Sequence, residues 1–198
     1  MNYGIFMGPI WLEEKIANIT GKRRKGQISS AEVEFNYYLK VIRDLMDPDG
    51  SFLELGPSRN LSLTDYFGNV TIVDKNIEVV KNYESNGEKA IHDDYYSLLI
   101  RPNSFDYVVA IHPDLHHSGE NIEWTDFKER KFKFKEQNLE KFVSSLLNIA
   151  RKKVFIGSKK ISDDPPMREY ASRVVTHPPQ FVLYEKTGQF NPYGKVKK

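Results

Sequence analysis

The chain has 198 residues, 13% of them aromatic, and a formal net charge of +2 at neutral pH. That length suits one α/β domain with a helical extension, and the charge is too small to point to a nucleic-acid partner by itself. The absence of cysteine excludes a disulfide framework, a zinc–thiolate site, an iron–sulfur cluster and a cysteine nucleophile, and no apolar run approaches the roughly 18 residues of a transmembrane helix. Met1 to Leu12 lacks the charged start and apolar block of a secretory signal, so a cytoplasmic location without membrane association is expected. Trp11 to Ile19 reads as a short amphipathic helix with Leu12, Ile16 and Ile19 on one side, followed by the glycine-bracketed basic loop Lys22-Arg23-Arg24-Lys25. Ser29 and Glu32 form a possible capping box. The helix they start is expected to run to about Met46, with Phe35, Tyr38, Val41, Ile42 and Leu45 as its apolar stripe. Asp47-Pro48-Asp49-Gly50 stops it. Residues 1–50 are thus expected to form an N-terminal helical cap, and 51–198 the main α/β domain.

From Ser51 onward the pattern alternates between strand and helix. Strand 51–55, a helix from about 61, strand 70–74, helix 77–84, a short strand 90–92 and strand 105–111 are expected in order. An irregular stretch 113–134, a helix of about 136–150 and strand 153–157 follow. The runs Phe105-Asp106-Tyr107-Val108-Val109-Ala110-Ile111 and Val154-Phe155-Ile156 are nearly continuous in apolar or aromatic residues, as strands buried on both faces of a parallel sheet are. A short helix over 165–172 and two β segments within 174–186, interrupted by Pro178-Pro179, complete the reading. No internal repeat or low-complexity segment is visible.

Residues 52–74 carry the most functional information. Phe52-Leu53-Glu54-Leu55-Gly56-Pro57-Ser58-Arg59-Asn60 is an apolar run ending in an acid and a turn, and Val70-Thr71-Ile72-Val73-Asp74 is a second run closed by an acid. Asp74 stands twenty residues after Glu54, about the spacing at which a βαβ unit places a carboxylate on a ribose. Gly56 lets a ligand approach the backbone. A dinucleotide turn wants three glycines so that a pyrophosphate can rest on a helix N-terminus. Here only Gly56 is present, and Glu54 would repel a phosphate. An acid at the strand end suits a ligand with a cationic group instead.

On these residues, the stretch 51–157 resembles the class I S-adenosylmethionine-dependent methyltransferases. Phe-Leu-Glu-Leu-Gly at 52–56 is similar to the family's first motif, an acid before the turn that surrounds the methionine part of the cofactor; Gly56, Pro57 and Ser58 then form that turn. Asp74 stands where the family places the carboxylate for both ribose hydroxyls. Asp93-Asp94-Tyr95 stands where an acid, matched to Asp94, receives the adenine amino group and its neighbours flank the ring. Asn103-Ser104-Phe105-Asp106 and Leu115-His116-His117 are familiar phrases of the same family. The resemblance implies a doubly wound, mostly parallel α/β sheet of Rossmann-like methyltransferase type with an N-terminal helical extension. It further implies S-adenosylmethionine as cofactor and methyl transfer to a small molecule or RNA. The chain departs from the pattern in its Gly-Pro-Ser-Arg turn and in Ala150-Arg151-Lys152-Lys153, which replaces a Pro-Gly-Gly before the fifth strand.

Other readings of the same residues stand beside this one. Either strand-end acid could simply face solvent. Of Asp93 and Asp94, only one is expected to reach the cofactor, and the other to be solvated or to cap the next turn. Asp106, at a strand start, reads as structural. His112-Pro113-Asp114-Leu115-His116-His117 holds three histidines and an aspartate within six residues and could ligate a metal. His112 alone, following the strand end that faces the transferring methyl, is the candidate for substrate contact or a catalytic base. Lys22–Lys25 and Lys128–Lys135, the latter interleaved with Phe132 and Phe134, could hold nucleic-acid phosphates. The alternation at 131–135 fits a half-buried strand equally well. A metal-binding protein, a non-catalytic binding protein of the same fold, and an aminopropyl or aminocarboxypropyl transferase are the alternative functions. The oligomeric state is not legible.

Overall fold

A computed structural model describes residues 29–57, 61–94, 98–113, 122–125, 131–134, 139–163 and 165–186, with the main chain alone for 122–125, 131–134 and 159–160. The expected helix 11–19, the basic loop Lys22–Lys25, Ser58, Tyr95 and the cluster members Asp114, His116 and His117 lie outside the described residues.

Helix α1 (Ser30–Leu45) begins with the anticipated capping box. The Ser29 hydroxyl accepts from the Glu32 amide at 3.2 Å, and the Glu32 carboxylate accepts from the Ser29 amide at 2.9 Å. Two of the orphan amides of the first turn are satisfied this way. Its stripe buries Phe35, Tyr38, Leu39, Val41 and Ile42. Gly50 then returns the chain beneath the Tyr107 ring, where a Cβ would meet Tyr107 Cε2 at 2.5 Å; no other residue fits there without a shift.

The strands are β1 (Phe52–Leu55), β2 (Val70–Asp74), β3 (Lys89–His92), β4 (Phe105–Ile111), β5 (Ile122–Thr125), β6 (Lys131–Phe134), β7 (Ala150–Gly157), β8 (Ala171–Val175) and β9 (Phe181–Glu185). Seven of them form one sheet in the order β3-β2-β1-β4-β7-β9-β8. The pairs from β3 to β7 are parallel, and β9 runs antiparallel to both β7 and β8. Parallel neighbours need crossovers, supplied by α2 (Ile77–Ser85) between β2 and β3 and by α3 (Leu139–Ile149) before β7. Because successive side chains alternate across a strand, the two faces build separate cores. Leu53, Leu55, Val108, Ala110, Val154 and Ile156 pack with Phe142, Val143, Leu146 and Leu147 of α3. Phe52, Ile72, Val109 and Phe155 pack with Phe35, Tyr38 and Ile42 of α1. Each fully buried aliphatic or aromatic side chain contributes roughly 1.5–3 kcal/mol, and the two layers together explain why β1 is buried at all four positions. This is the doubly wound, mostly parallel α/β architecture expected.

Several elements differ from the sequence reading. The helix expected from about 61 is a single 3₁₀ turn, Leu63–Asp65. Thr64, Asp65, Tyr66, Phe67 and Gly68 are poor helix formers, and the Leu63 amide is already bonded to Glu54. The helix over 165–172 shrinks to a 3₁₀ turn, Arg168–Tyr170, because Met167 is left-handed (φ 54) and Ala171 and Ser172 are drawn into β8. Strand β7 starts at Ala150, directly after α3, so the basic Ala150-Arg151-Lys152-Lys153 stretch is strand rather than turn. The segment 113–134, expected to be irregular, contains the antiparallel pair β5–β6. Asp106 is structural as expected. It accepts from the Ser51 amide and hydroxyl at 3.0 and 2.9 Å and pairs with Arg151 and Lys152, each at 3.4 Å. The Ser51 amide, with help from the hydroxyl and these cations, holds its carboxyl below the usual range.

Candidate functional site

The carboxyl ends of β1, β2, β3 and β4 lie side by side, and a candidate residue ends β2 (Asp74) or directly follows the others (Gly56, Asp93 and His112). Leu55 of β1 pairs with Val73 of β2, so Asp74 stands one step beyond that pair, level with Gly56. The Gly56 amide extends the ladder by donating to the Val73 carbonyl at 2.8 Å. Gly56 then takes φ 58, a conformation glycine adopts without steric cost, and Pro57 is buried behind the turn. Asp74 pairs with His92 of β3, and the Asp93 amide donates to the Asp74 carbonyl at 3.2 Å.

Glu54 is not a solvent-facing strand-end acid; it is 2% exposed. Its Oε2 accepts from the Ser62 hydroxyl at 2.6 Å and from the Leu63 amide at 2.9 Å. Burial raises its carboxyl to about 7, against the opposing pull of these two hydrogen bonds. Asp74 is half-buried. Its Oδ1 accepts from the Asn76 amide at 2.7 Å, which sets up Asn76 to cap α2 by accepting from the Glu78 amide at 3.0 Å. Asp93 turns to the backbone of its own loop, accepting from the Asp94 amide at 2.8 Å and the Leu99 amide at 3.4 Å, and burial raises its carboxyl. One member of the Asp93–Asp94 pair therefore caps the turn; the other, Asp94, is half-buried at the strand end.

His112 closes β4 in a left-handed conformation (φ 50), its amide donating to the Gly157 carbonyl at 2.8 Å. Its Nε2 lies 3.1 Å from Glu34 Oε2 on α1. Among the described residues no group of three histidines or carboxylates could hold a metal ion. A cleft of about 200 Å³ opens over this edge. Ala31 and Phe35 of α1, Glu54, Leu55, Gly56 and Pro57 of the first strand and turn, Leu61, Ile111 and His112 line it. The structure thus brings Glu54, Gly56, Pro57 and His112 to one cleft, with Asp74 and Asp93–Asp94 at the adjoining strand ends. Sequence reasoning missed Ala31, Glu34 and Phe35. Phe35 was legible only as part of an apolar stripe, and nothing along the chain links Glu34 to residue 112.

No protein-family model matches the sequence, and no curated protein matches it. Solved structures do resemble the fold. A Methanococcus maripaludis protein classed as an S-adenosyl-L-methionine-dependent methyltransferase superposes with a TM-score of 0.54 at 12% identity, over 96% of this chain and 98% of that one. The magnesium protoporphyrin IX methyltransferase of Synechocystis PCC 6803, solved with bound S-adenosylmethionine, gives 0.50 at 11% identity, over 90% and 91%. A Thermotoga maritima methyltransferase, proposed to act on histamine, gives 0.45 at 12% identity; the match covers 65% of this chain and 53% of that one, so the chain spans about half its length. The chain has the α/β fold of the S-adenosylmethionine-dependent methyltransferases.

Proposed function

We propose that the protein binds S-adenosylmethionine across the carboxyl edge of β1–β3 and transfers its methyl group to a small-molecule or RNA acceptor. The observation that carries this reading is the contiguity of a left-handed, side-chain-free turn at Gly56 with acids at three adjacent parallel strand ends. A phosphate would be repelled there, whereas a ligand with an ammonium, a sulfonium and ribose hydroxyls finds acceptors. When bound, the cofactor supplies an electrophilic methyl group.

In this reading Gly56, Pro57 and Ser58 admit the methionine end, and Glu54 beneath the turn is its electrostatic partner. Asp74 accepts from the ribose hydroxyls, since an ionised carboxylate takes two donors at once. Asp94 accepts from the adenine amino group, Asp93 holds the turn beside it, and Tyr95 is assigned to the ring's flank. His112, at the end of β4, contacts the acceptor. The reaction is an in-line displacement, which needs alignment and exclusion of water more than covalent help. The apolar wall of Phe35, Leu61 and Ile111 excludes water from the cleft. Helix α1 contributes Ala31 and Phe35 to the cleft as a cap over it.

Titration calorimetry with S-adenosylmethionine and S-adenosylhomocysteine tests the reading. Saturable binding of both is expected, and absence of binding overturns it. Binding without methyl release to any acceptor would leave a non-catalytic protein of this fold.

A further inference from the structure

Helix α1 brings a carboxylate and a phenol onto the histidine that ends β4. Glu34 Oε2 lies 3.1 Å from His112 Nε2, and Glu34 Oε1 accepts from the Tyr38 hydroxyl at 2.8 Å. Glu34 and Tyr38 stand one helical turn apart, so both reach the same point. The Tyr38 ring flanks the imidazole with centroids 5.8 Å apart. Tyr38 is itself pinned. Its hydroxyl lies 2.9 Å from the Gln180 carbonyl, and its ring sits so close to Gly157 that a Cβ there would meet it at 3.0 Å. Burial first, and then the hydrogen bond to Glu34 and the charge it carries, raise the Tyr38 phenol, which keeps it a donor. The backbone of His112 is held from the other side by its bond to the Gly157 carbonyl, in a conformation that residues with side chains rarely adopt.

An ion pair built only for stability would not need this placement. The His112 side chain keeps 55% exposure at the rim of the cleft while its carboxylate partner is 33% exposed. Among the described residues, the titratable groups near the ring are Glu34 and Tyr38 of α1, with Glu54 of β1 lining the same cleft. A neutral imidazole that donates from Nε2 to a carboxylate keeps its lone pair on Nδ1. We infer, resting on the methyl-transfer reading above, that Glu34 is the positioning residue that fixes His112 as proton acceptor for a hydroxyl or amine acceptor carried on an apolar scaffold.

The step balances. The acceptor oxygen or nitrogen uses a lone pair to form the bond to the methyl carbon, the carbon–sulfur bond breaks with its pair going to sulfur, and the acceptor's proton passes to Nδ1 of His112. Glu34 then faces an imidazolium, whose charge it stabilises. Acceptors that lose no proton would gain nothing from this couple. The apolar wall of Phe35, Leu61 and Ile111 selects the scaffold.

The test uses the full chain in two stages. Calorimetry first measures S-adenosylhomocysteine binding to the wild type and to Glu34→Gln; no binding to the wild type sinks the methyl-transfer reading itself. With binding shown, histidine nitrogen NMR of the bound protein reads His112 directly, and methyl transfer from deuterated cofactor is followed on phenol, benzyl alcohol, aniline and benzylamine. The expected result is transfer to at least one of these, and an Nε2–H tautomer in the wild type that gives way to a mixture of both tautomers in Glu34→Gln, whose amide can donate as well as accept. The kcat of Glu34→Gln should fall roughly 10–100-fold with the cofactor KM unchanged, as for partners that orient a functional histidine. Tyr38→Phe, which keeps the ring against Gly157, should shift both readouts less and in the same direction. An unchanged tautomer and kcat in Glu34→Gln, or no transfer to any of the four compounds, overturns the inference while leaving cofactor binding intact.

Discussion

Glu54 Oε2 lies 2.6 Å from the Ser62 hydroxyl, and that short bond joins the end of β1 to the loop that returns toward β2. The Leu63 amide shares the same oxygen at 2.9 Å. A buried carboxylate therefore does two jobs: it satisfies the backbone of a 3₁₀ turn and places a titratable group under the Gly56 turn.

The first prediction concerns stability and pH. Folding raises Glu54 from about 4.5 to about 7, so the native state holds its proton more tightly than the unfolded chain does. The stabilisation tied to this proton is fully present below about 4.5 and is lost as pH rises to about 7, a span worth on the order of 3 kcal/mol. Glu54→Gln should flatten this part of the stability profile in urea titrations run at a series of pH values. A slope unchanged by the substitution would show that another group sets it.

Ligand binding should follow the opposite sign. A cation beside Glu54 favours its ionised form, so S-adenosylmethionine binding should release a proton below about pH 7. Affinity should rise by up to about tenfold per pH unit on approaching that value and level off above it. Calorimetry in buffers of different ionisation enthalpy measures the proton directly, and Glu54→Gln should abolish it.

Asp74→Asn tests the ribose assignment without dismantling the turn, because the amide oxygen can still accept from the Asn76 amide. Cofactor affinity should fall about tenfold or more, since charge-assisted bonds are worth roughly 1.5–3 kcal/mol, while the thermal midpoint stays within a few degrees. Equal affinity for wild type and variant would remove Asp74 from the site.

Gly157→Ala should destabilise the fold. The new methyl would meet Cε2 and Cζ of Tyr38 at 3.0 Å. The ring cannot retreat easily, because it is packed against Phe155 and Phe181 and tethered through its hydroxyl. Overpacking of this kind costs about 1–3 kcal/mol, to be read from chemical denaturation. Wild-type stability would mean that α1 yields more readily than its contacts suggest.

The apolar runs at 52–55, 70–73 and 107–111 were legible as buried strands because continuous hydrophobicity has few other uses in a chain of this composition. Glu54 near the end of the first run and Asp74 directly after the second were legible as site candidates for the same reason: a carboxylate so placed stands at a strand end. Less was visible where tertiary bonds decide local structure. The turn at Leu63–Asp65 depends on Glu54 accepting the Leu63 amide, a contact no periodicity reports. Nor does the sequence announce that Ala150 starts a strand with no intervening turn, since its pairing with Phe105 is set by the neighbouring strand. No motif marks Glu34, and only the crossing of α1 over the end of β4 gives it His112 as partner.

Strand β9 lies between β7 and β8 although it follows both in the chain, and its Phe181 completes the aromatic layer with Phe155 and Tyr38. During synthesis the growing chain must therefore wait for residues 181–185 before the flank of β7 is covered. Until they leave the ribosome, an unpaired parallel edge and an unfinished apolar surface are open to wrong partners. A nascent chain stalled short of this strand is the form most in need of a chaperone.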